Sequence, residues 1–420
     1  MRDQYDCVVI GGGPAGSTAA TVVAKGGFST LLVERERMPR FHIGESLMPE
    51  TYWTLKRLGV LDKMKSSQFM RKMSVQFVSS SGKESQPFFF RDHDPRECAE
   101  TWQVERADFD KMLFDNAAEK GADCRDRTRV LSVKFDGDRA TGVTLQQEDG
   151  SRHPVTSRVI IDATGQQAVI ANALGIRVED PHLRKMAIWN YYRNARRDAG
   201  DNAGATIIMH TQDKQSWFWF IPLSDNITSI GVVGDRDYLL KNRGRPADVF
   251  QEELALCPAL QERLVNAELV SEFRVAKEFS YSTRRQAGDG WVLVGDAFGF
   301  IDPIYSSGVY LALRSGELAA DAVVEGLQAG DVSARQLGSW IPSFQDGTRW
   351  IRQLVDVYYS DEFSLGAFLR QHPEHRNNLT DLLIGRVFHD GAGRIFDDLI
   401  PALERARQMK RQDSQPVSTV

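Results

Sequence analysis

The fold of this chain is decided near its start by the stretch VVIGGGPAG, at residues 8–16. There an apolar run ends in glycines with the GxGxxG spacing, and small residues at helical spacing continue to residue 25. A second apolar run over residues 28–34 ends in Glu34, which lies 18 residues beyond Gly16. This order of strand, tight turn, helix, strand and acid predicts a βαβ unit that binds a dinucleotide.

Each glycine of the stretch has a physical reason. Gly11 permits the tight turn, Gly13 lets the backbone approach a pyrophosphate, and Gly16 lets the helix pack close to the strand. Ala15 lies in the first helical turn, whose unbonded amide groups and positive dipole end attract the pyrophosphate. We expect Glu34 to accept hydrogen bonds from ribose hydroxyls. The alternative is a glycine-rich loop without a ligand, and the agreement of the whole unit argues against it.

The composition is that of a packed globular protein, and the length exceeds that of one average domain. The chain has 420 residues, of which 42% are hydrophobic and 26% charged, with a net charge of −5. The balance predicts no nucleic-acid surface. Four cysteines without CxxC spacing predict neither a metal site nor a disulfide scaffold. We see neither a signal peptide nor a membrane-spanning run, so we expect a soluble, cytoplasmic protein.

Further along the chain, the patterns predict three regions of an α/β protein. The predicted cofactor-binding domain is of the Rossmann type and discontinuous, covering residues 1–70, 100–180 and 275–330. An inserted β-sheet domain for the substrate is predicted over residues 71–99 and 181–274. The C-terminus is predicted to be helical over residues 331–410, with a disordered tail from 411 to 420.

Two further segments favour FAD over NAD. Gly295 and Asp296 follow an apolar strand at residues 291–294, and the pair resembles the second flavin fingerprint of the glutathione-reductase-like flavoproteins. The resemblance implies that Asp296 holds ribityl and phosphate oxygens, with helix or turn capping as the alternative. Residues 162–165 resemble the ATG segment of that family, and Arg106 matches its arginine near the flavin. No second GxGxxG lies in a βαβ context, so we predict no NAD(P)H domain.

Two motifs narrow the family. Residues 217–222 read WFWFIP, a WxWxIP motif, and residues 300–308 fit FxxPxxSxG. With the N-terminal fingerprint they resemble the flavin-dependent halogenases, especially the branch that acts on pyrroles and phenols and uses pyrrolyl groups tethered to a carrier protein. The resemblance covers most of residues 1–325.

The resemblance implies the reaction and its participants. A separate flavin reductase supplies FADH2, and oxygen and a halide, chloride or bromide, then give hypohalous acid. The acid halogenates an electron-rich ring, here a pyrrolyl group on an acyl or peptidyl carrier protein. A homodimer is the general expectation, and neither a membrane nor a nucleic-acid partner is predicted.

The resemblance also implies roles for individual residues. A helix is predicted over residues 307–327. The amides of Ser307 and Gly308 at its start bind the halide, with Gly308 able to take the conformation that gathers them into a nest. For these residue types alone, simple helix capping is the alternative. Lys72 matches the essential lysine and must be partly buried, so that its amine is uncharged or well oriented. A solvated surface lysine, or a register shifted by one to Arg71, is the alternative.

Other positions refine the predicted site. Trp217 and Trp219, followed by Pro222, form a barrier between flavin and substrate, although two tryptophans at this spacing also suit core packing in a strand. Tryptophan halogenases carry a glutamate immediately before the SxG serine. Tyr305 stands there instead, which argues against free tryptophan and places a tyrosine in the predicted substrate pocket. Ser46 is expected to contact flavin. Glu45 is either a general base or, preferably, a structural hydrogen-bond partner.

Three functions remain open on the sequence. The first is the two-component halogenase just described. The second is an FAD-dependent monooxygenase or a geranylgeranyl-reductase-like oxidoreductase, which shares the cofactor segments but needs neither WxWxIP nor the lysine. The third is a non-catalytic flavin sensor, for which a halide motif would have no use.

Overall fold

The glycine-rich stretch lies at the end of the central strand of a parallel sheet, as a computed structural model of the chain shows; it describes residues 1–181, 183–276, 280–360 and 362–413. The strands are β1 Gln4–Ile10, β2 Thr30–Val33, β3 Met70–Lys72, β4 Ser74–Val78, β5 Phe88–Phe89, β6 Thr101–Gln103, β7 Asp123–Arg125, β8 Arg129–Asp136, β9 Arg139–Gln146, β10 Arg152–Asp162, β11 Arg177–Glu179, β12 Lys185–Arg193, β13 Thr206–His210, β14 Ser216–Pro222, β15 Ile227–Asp235, β16 Glu268–Leu269, β17 Arg274–Ala276, β18 Tyr281–Thr283, β19 Ala287–Gly288 and β20 Trp291–Leu293. The helices are α1 Pro14–Lys25, α2 Thr51–Leu58, α3 Leu61–Ser66, α4 Phe90–His93, α5 Arg106–Glu119, α6 Val169–Ala173, α7 Arg236–Leu240, α8 Pro246–Ala255, α9 Pro258–Leu264, α10 Ser307–Ala329, α11 Ala334–Leu337, α12 Ile341–Tyr358, α13 Leu365–Gln371, α14 Arg376–Ile384 and α15 Ile395–Asp413.

The first sheet carries the predicted cofactor unit. Its strand order is β19-β20-β10-β1-β2-β7, with β9 and β8 extending from β10. Strands β20, β10, β1, β2 and β7 are mutually parallel. In the ladders Ile10 pairs with Asp162, and Asp162 with Leu293. The strands therefore end at one edge, and ligands of open parallel sheets bind beyond that edge.

The predicted βαβ unit is confirmed. The helix covers the predicted residues 14–25, and the second strand is shorter than predicted, at Thr30–Val33. All four residues of β2 and the last four of β1 are buried. Such continuous apolar runs are typical of parallel strands that are covered on both faces.

The second sheet holds the aromatic motif. Its order is β16-β12-β15-β14-β13-β4-β5, with β17 also pairing with β12. Strand β14 is buried along its whole length. Phe218 and Phe220 point from β14 into a core that α8 and α9 complete through Phe250 and Leu260. Because side chains alternate along a strand, Trp217 and Trp219 lie on the opposite face.

The chain divides into two units. Met1–Trp340 contains both large sheets, and the second unit begins at Ile341 and is built from α12 to α15. Helix α15 continues to Asp413, so residues 411–413 are helical and the prediction of a tail from 411 was wrong for them. The rest of the predicted tail, residues 414–420, lies outside the described residues. Over the described ranges, no helix combines the length and hydrophobicity needed to span a bilayer.

Candidate active site

The glycines of the N-terminal turn form a cradle that side chains would fill. Gly11 has φ +107°, and a Cβ there would lie 2.3 Å from the carbonyl oxygen of Ala163. A Cβ on Gly16 would lie 1.9 Å from the carbonyl oxygen of Gly11. A Cβ on Gly13 would meet only Arg40, at 3.5 Å. Gly11 and Gly16 therefore allow the close packing of turn and helix, while Gly13 leaves the backbone open to a ligand.

This turn opens into a cavity of about 680 Å³, beyond the carboxyl ends of β1, β10 and β20. The predicted site residues in its wall are Gly11, Gly13, Ala15, Glu34, Ser46, Arg106, Trp217, Trp219, Asp296 and Gly308. The predicted site residues outside the wall are Gly16, Lys72, Pro222, Tyr305 and Ser307. One cavity thus brings together segments from most of the first 310 residues.

A row of buried, charged side chains lies along one side of the cavity. The carboxylate of Glu34 accepts hydrogen bonds from the amides of Gly12 and Glu36, both at 3.0 Å. Arg40 contacts Glu34 at 3.3 Å and Asp110 at 2.8 Å. Arg106 in turn contacts Asp110 at 2.8 Å.

The charges of Glu34, Arg40, Asp110 and Arg106 alternate in sign. Burial alone would raise the pKa of Asp110, but the guanidinium groups of Arg106 and Arg40 outweigh burial and hold it below its ordinary value. The sequence analysis missed Arg40 and Asp110. Asp110 carried a signal, because an acid four residues after Arg106 faces it on a helix. Arg40 lies in an irregular segment, where spacing carries no information.

The two aspartates at the strand ends have different roles. Asp296 lies in the cavity wall, and burial raises its pKa to about 6 despite the opposing charge of Arg106. Asp162 is fully buried and accepts hydrogen bonds from the amides of Thr164, at 3.0 Å, and Ile170, at 2.7 Å. Asp296 is therefore available to a ligand, whereas Asp162 stabilises its own turn. With the glycine cradle, these donors and acceptors fit the pyrophosphate and hydroxyl groups of FAD.

The start of α10 differs from the prediction in one respect. The helix begins at Ser307, as expected, but the left-handed residue is Ser306, with φ +57°. Gly308 does not have a positive φ, so the expectation that Gly308 gathers the amides was wrong. The side chain of Ser306 makes no capping hydrogen bond. A Cβ on Gly308 would meet nothing within 4 Å, so the first turn is open toward the cavity.

Lys72 ends β3 and is buried, with 2% of its surface exposed. Its Nζ donates to Ser46 Oγ at 2.8 Å and to the carbonyl oxygen of Leu47 at 3.0 Å. It also lies 5.8 Å from the ring centre of Phe90. Burial lowers the pKa of Lys72 to about 7.

The neighbouring Arg71 has a different environment. Its side chain is 39% exposed, forms an ion pair with Glu100 and stacks on Trp102. In this register the buried amine is therefore that of Lys72, and the charged group that reaches solvent is that of Arg71.

The tryptophans of β14 form an aromatic part of the wall. Trp219 donates from Nε1 to Ser229 Oγ at 3.1 Å, which holds its ring in one orientation. Pro222 is buried at the end of the same strand, and Tyr305 is buried just before α10.

Ser46 and Glu45 lie where the two sheets meet the cavity. Ser46 lines the cavity and bonds directly to Lys72, a contact that the sequence did not indicate. Glu45 accepts a hydrogen bond of 2.6 Å from the hydroxyl of Tyr191, which agrees with the preferred structural role. Burial raises the pKa of Glu45 to about 7, against the hydrogen bonds of Tyr191 and Ser229.

Comparisons with known proteins agree with this geometry. Residues 4–327 match the family model described as FAD binding domain. The chain is 30% identical to the 1H-pyrrole-2-carbonyl-[peptidyl-carrier protein] chlorinase of Pseudomonas fluorescens, over 96% of this chain and 95% of the relative. It is 33% identical to the corresponding brominase of Pseudoalteromonas luteoviolacea, over 97% and 98%. The solved structure of the flavin-dependent brominase Bmp2 superposes with a TM-score of 0.86 at 31% identity, covering 96% of this chain and 99% of that one.

Proposed function

The chain belongs to the flavin-dependent halogenases, and on that premise we propose that it halogenates a pyrrolyl group tethered to a carrier protein. The membership makes it an FAD-dependent enzyme. The substrate class is supported by the activities of the two relatives, since each alignment covers nearly the whole of both chains. One of them is a chlorinase and the other a brominase, so chloride and bromide are both candidate halides.

The cofactor's place follows from the cradle. When bound, FAD supplies the chemistry by which oxygen and halide become hypohalous acid. The amides of the turn from Gly11 to Gly16 would hold the pyrophosphate, Glu34 the adenosine ribose and Asp296 the ribityl hydroxyls. The positive charge of Arg106 acts on Asp296, and Arg106 would help to position the flavin in the cavity.

The first turn of α10 would bind the halide. Amide groups at a helix start lack intrahelical partners and attract anions. The capping alternative has no support from Ser306, whose side chain leaves these amides unbonded. The open space at Gly308 supports a role for the amides of Ser307 and Gly308.

The observation that carries the proposal is the buried amine of Lys72. A lysine is seldom buried without a partner of opposite charge, and desolvation is the cause of its lowered pKa. With a pKa of about 7, about half of the amine is uncharged at neutral pH. It can receive the halogen as a haloamine or hold hypohalous acid by a hydrogen bond, and pass the halogen to a ring.

The aromatic wall would keep flavin and ring apart. Trp217 and Trp219 line the cavity, and a barrier there would favour a route through Lys72 over direct oxygen transfer. Pro222 ends the strand that holds them, and Tyr305 would contact a small ring. Position 305 holds this tyrosine and not the glutamate of the tryptophan halogenases, which supports a ring smaller than indole.

The test is intact-mass analysis of a pyrrolyl-loaded carrier protein. It is incubated with the enzyme, a separate flavin reductase, FAD, NADH and either chloride or bromide. The expected result is a halide-dependent mass gain of one halogen for each hydrogen replaced, with no gain on free pyrrole-2-carboxylate. Addition of oxygen without halide would support the monooxygenase alternative, and reaction of the free acid would contradict carrier dependence.

Two adjacent variants test the amine. Lys72→Ala should reduce halogenation to the background of the assay, because the carrier of the halogen is lost. Arg71→Ala is the matched control and should retain halogenation, since its side chain forms a partly exposed ion pair. Halogenation by Lys72→Ala at the wild-type rate would contradict the proposed mechanism.

A further inference from the structure

A hydrogen-bonded chain connects the cavity wall to the amine of Lys72. Lys72 Nζ lies 2.8 Å from Ser46 Oγ, and Ser46 Oγ lies 2.8 Å from Thr206 Oγ1. Gln103 Nε2 lies 2.8 Å from the same Thr206 Oγ1. Ser46 and Thr206 line the cavity, whereas Lys72 and Gln103 lie behind them. All four side chains are buried, with 4% or less of their surface exposed.

The direction of each hydrogen bond follows from the fixed donors. Gln103 Nε2 also lies 3.0 Å from the carbonyl oxygen of Gly204, which accepts only, so the nitrogen of the amide faces both partners. Gln103 therefore donates to Thr206. Its Oε1 has no hydrogen-bond partner among the residues the structure describes, so the amide is held by its donors.

The remaining assignments follow in turn. Lys72 donates one N–H to Leu47 and one to Ser46. Ser46, having accepted from Lys72, donates its own proton to Thr206. Thr206 then accepts from both Gln103 and Ser46, which uses its two lone pairs. The hydroxyl proton of Thr206 is left to point away from both Gln103 and Ser46. Thr206 lies at the start of β13 and lines the cavity.

The amine itself is left with a free lone pair. A neutral amine has two N–H groups and one lone pair, and both N–H groups of Lys72 are directed at acceptors. Within the described part of the chain, Nζ has no third hydrogen-bond acceptor, and the ring of Phe90 lies 5.8 Å away. A protonated amine would leave one N–H without a partner in a buried site, which is costly. The site is therefore built for an uncharged nucleophile.

We propose that Ser46 and Thr206, oriented by Gln103, form a proton relay that allows Lys72 to take the halogen from hypohalous acid. The inference rests on the proposed function, because it needs hypohalous acid in the cavity. The lone pair of Nζ bonds to the halogen, the halogen–oxygen bond breaks, and hydroxide leaves with the electron pair. Lys72 gives a proton to Ser46, Ser46 gives its own to Thr206, and Thr206 gives its own to the hydroxide. The products are the haloamine and water, and the halogen keeps its oxidation state.

The decisive experiment measures halogenation of Lys72 itself. Cofactor-free protein is treated with hypochlorous acid in steps beyond the amount that its cysteine and methionine side chains consume, because these react before any amine. The free acid is then removed by rapid gel filtration without a reductant, which would turn haloamines back into amines. Fragmentation of the intact protein in the mass spectrometer compares N-chlorination of Lys72 with that of the exposed Lys83. For Thr206→Val, which keeps shape but loses the hydroxyl, this ratio should fall by about 100-fold, since positioned proton transfer contributes that much. Thr206→Ser should restore it.

A second variant reverses the relay without removing a hydroxyl. In Gln103→Glu the carboxylate accepts and cannot donate, so Thr206 turns its proton toward it and away from the cavity. The Lys72 ratio should fall here as well, and this variant decides the matter if Thr206→Val does not fold. Thr101→Val is the matched control: Thr101 pairs with Lys72 across β3 and β6, but its hydroxyl donates to the carbonyl oxygen of Met48 at 3.3 Å.

The outcomes separate the relay from the function. Ratios for Thr206→Val and Gln103→Glu equal to that of Thr101→Val would overturn the relay, even if the wild-type enzyme halogenates the carrier-bound pyrrole. A lowered ratio together with a wild-type enzyme that leaves every carrier substrate unchanged would support the relay and refute the proposed function. In the reductase-coupled assay, the relay variants should also release more hypohalous acid to an added thiol for each product formed.

Discussion

The surroundings of Lys72 change the pKa of its amine. Its amine has an ordinary pKa of 10.5 in an unfolded chain and a pKa of about 7 in its buried position. Between these values the unfolded state binds more protons than the folded state. The free energy of unfolding should therefore rise with pH from about 7 to about 10. Below pH 7, both states carry the charge and the full cost of burying it remains.

The first prediction follows from this difference. Lys72→Met should be more stable than the wild type at pH 7 by a few kcal/mol, because it removes the buried charge. The gap should narrow toward pH 10. Urea unfolding at several pH values measures it, with Arg71→Met as the control that shows no such trend. A constant gap from pH 7 to 10 would mean that Lys72 has an ordinary pKa.

Glu45 gives a second prediction, of opposite sign. Burial raises its pKa from 4.5 to about 7, so the folded state binds more protons than the unfolded state between these values. The stability of the wild type should fall as pH rises from about 4.5 to 7, and Glu45→Gln should lack this fall. Unfolding of both proteins across this range tests the claim. Parallel curves would show that Glu45 is ionised throughout.

The sequence could identify Lys72 but not what surrounds it. The motif that led to Lys72 is local, whereas its partners come from residues 46–47 and, through Ser46, from Thr206 and Gln103. Ser46 was expected to contact flavin. Its second contact, to Lys72, arises because residue 46 lies beside β6, which pairs with β3, and no local pattern encodes this pairing.

At the scale of elements, helices α1 and α10 pack through a glycine. A Cβ on Gly316 of α10 would lie 2.4 Å from the carbonyl oxygen of Ala15 in α1. This contact sets the distance between the cofactor turn and the helix whose first amides face the cavity. Gly295 is tied to the same helix, since its amide donates to Ser315 Oγ at 2.9 Å.

The third prediction concerns this contact. Gly316→Ala should push α10 away from α1, lower stability by about 1–3 kcal/mol and weaken FAD binding. Thermal unfolding and flavin titration measure the two effects. Gly366→Ala is the control, because Gly366 lies exposed in α13 with room for a Cβ, and should be neutral or slightly stabilising. Unchanged FAD affinity in Gly316→Ala would contradict the coupling.

Element prediction from the sequence succeeded where patterns are local and strong. Helix α1 lies at the predicted residues, and α10 begins at the predicted Ser307. The left-handed turn before α10 was assigned to Gly308 because glycine takes positive φ at little cost. The structure places it at Ser306. A serine there is held by the surrounding chain, and residue type alone could not indicate it.

For the whole molecule, the cavity predicts a cofactor preference that calorimetry can measure. FAD binds only the folded state, so at 100 times its dissociation constant it should stabilise the protein by about 2.7 kcal/mol and raise Tm accordingly. NAD should give little or no shift in Tm, because the GxGxxG fingerprint is expected to bind FAD. Gly13→Val, which fills the open side of the turn, should lose the shift while remaining folded. An equal shift with NAD would contradict the assignment of this cavity to FAD.

The fold class was predictable because it rests on the βαβ unit and on the strand that ends in Gly295 and Asp296. The strand pairing of the second sheet was less predictable. Strand β4 pairs with β13, which lies more than 125 residues later in the sequence. Pairing between such distant segments leaves no periodic pattern in the sequence. Thr206, which lies in β13, escaped prediction for the same reason.

The neighbours of the Lys72 amine come from distant parts of the sequence, so the amine becomes buried only as the chain folds. Lys72 loses its water only when segments from three distant positions have come together. A partly folded chain would present it as an ordinary charged lysine, open to any acylating reagent. Slow acylation of this one side chain would therefore report, during refolding, the moment at which residues 46–47 and Phe90 have closed around it.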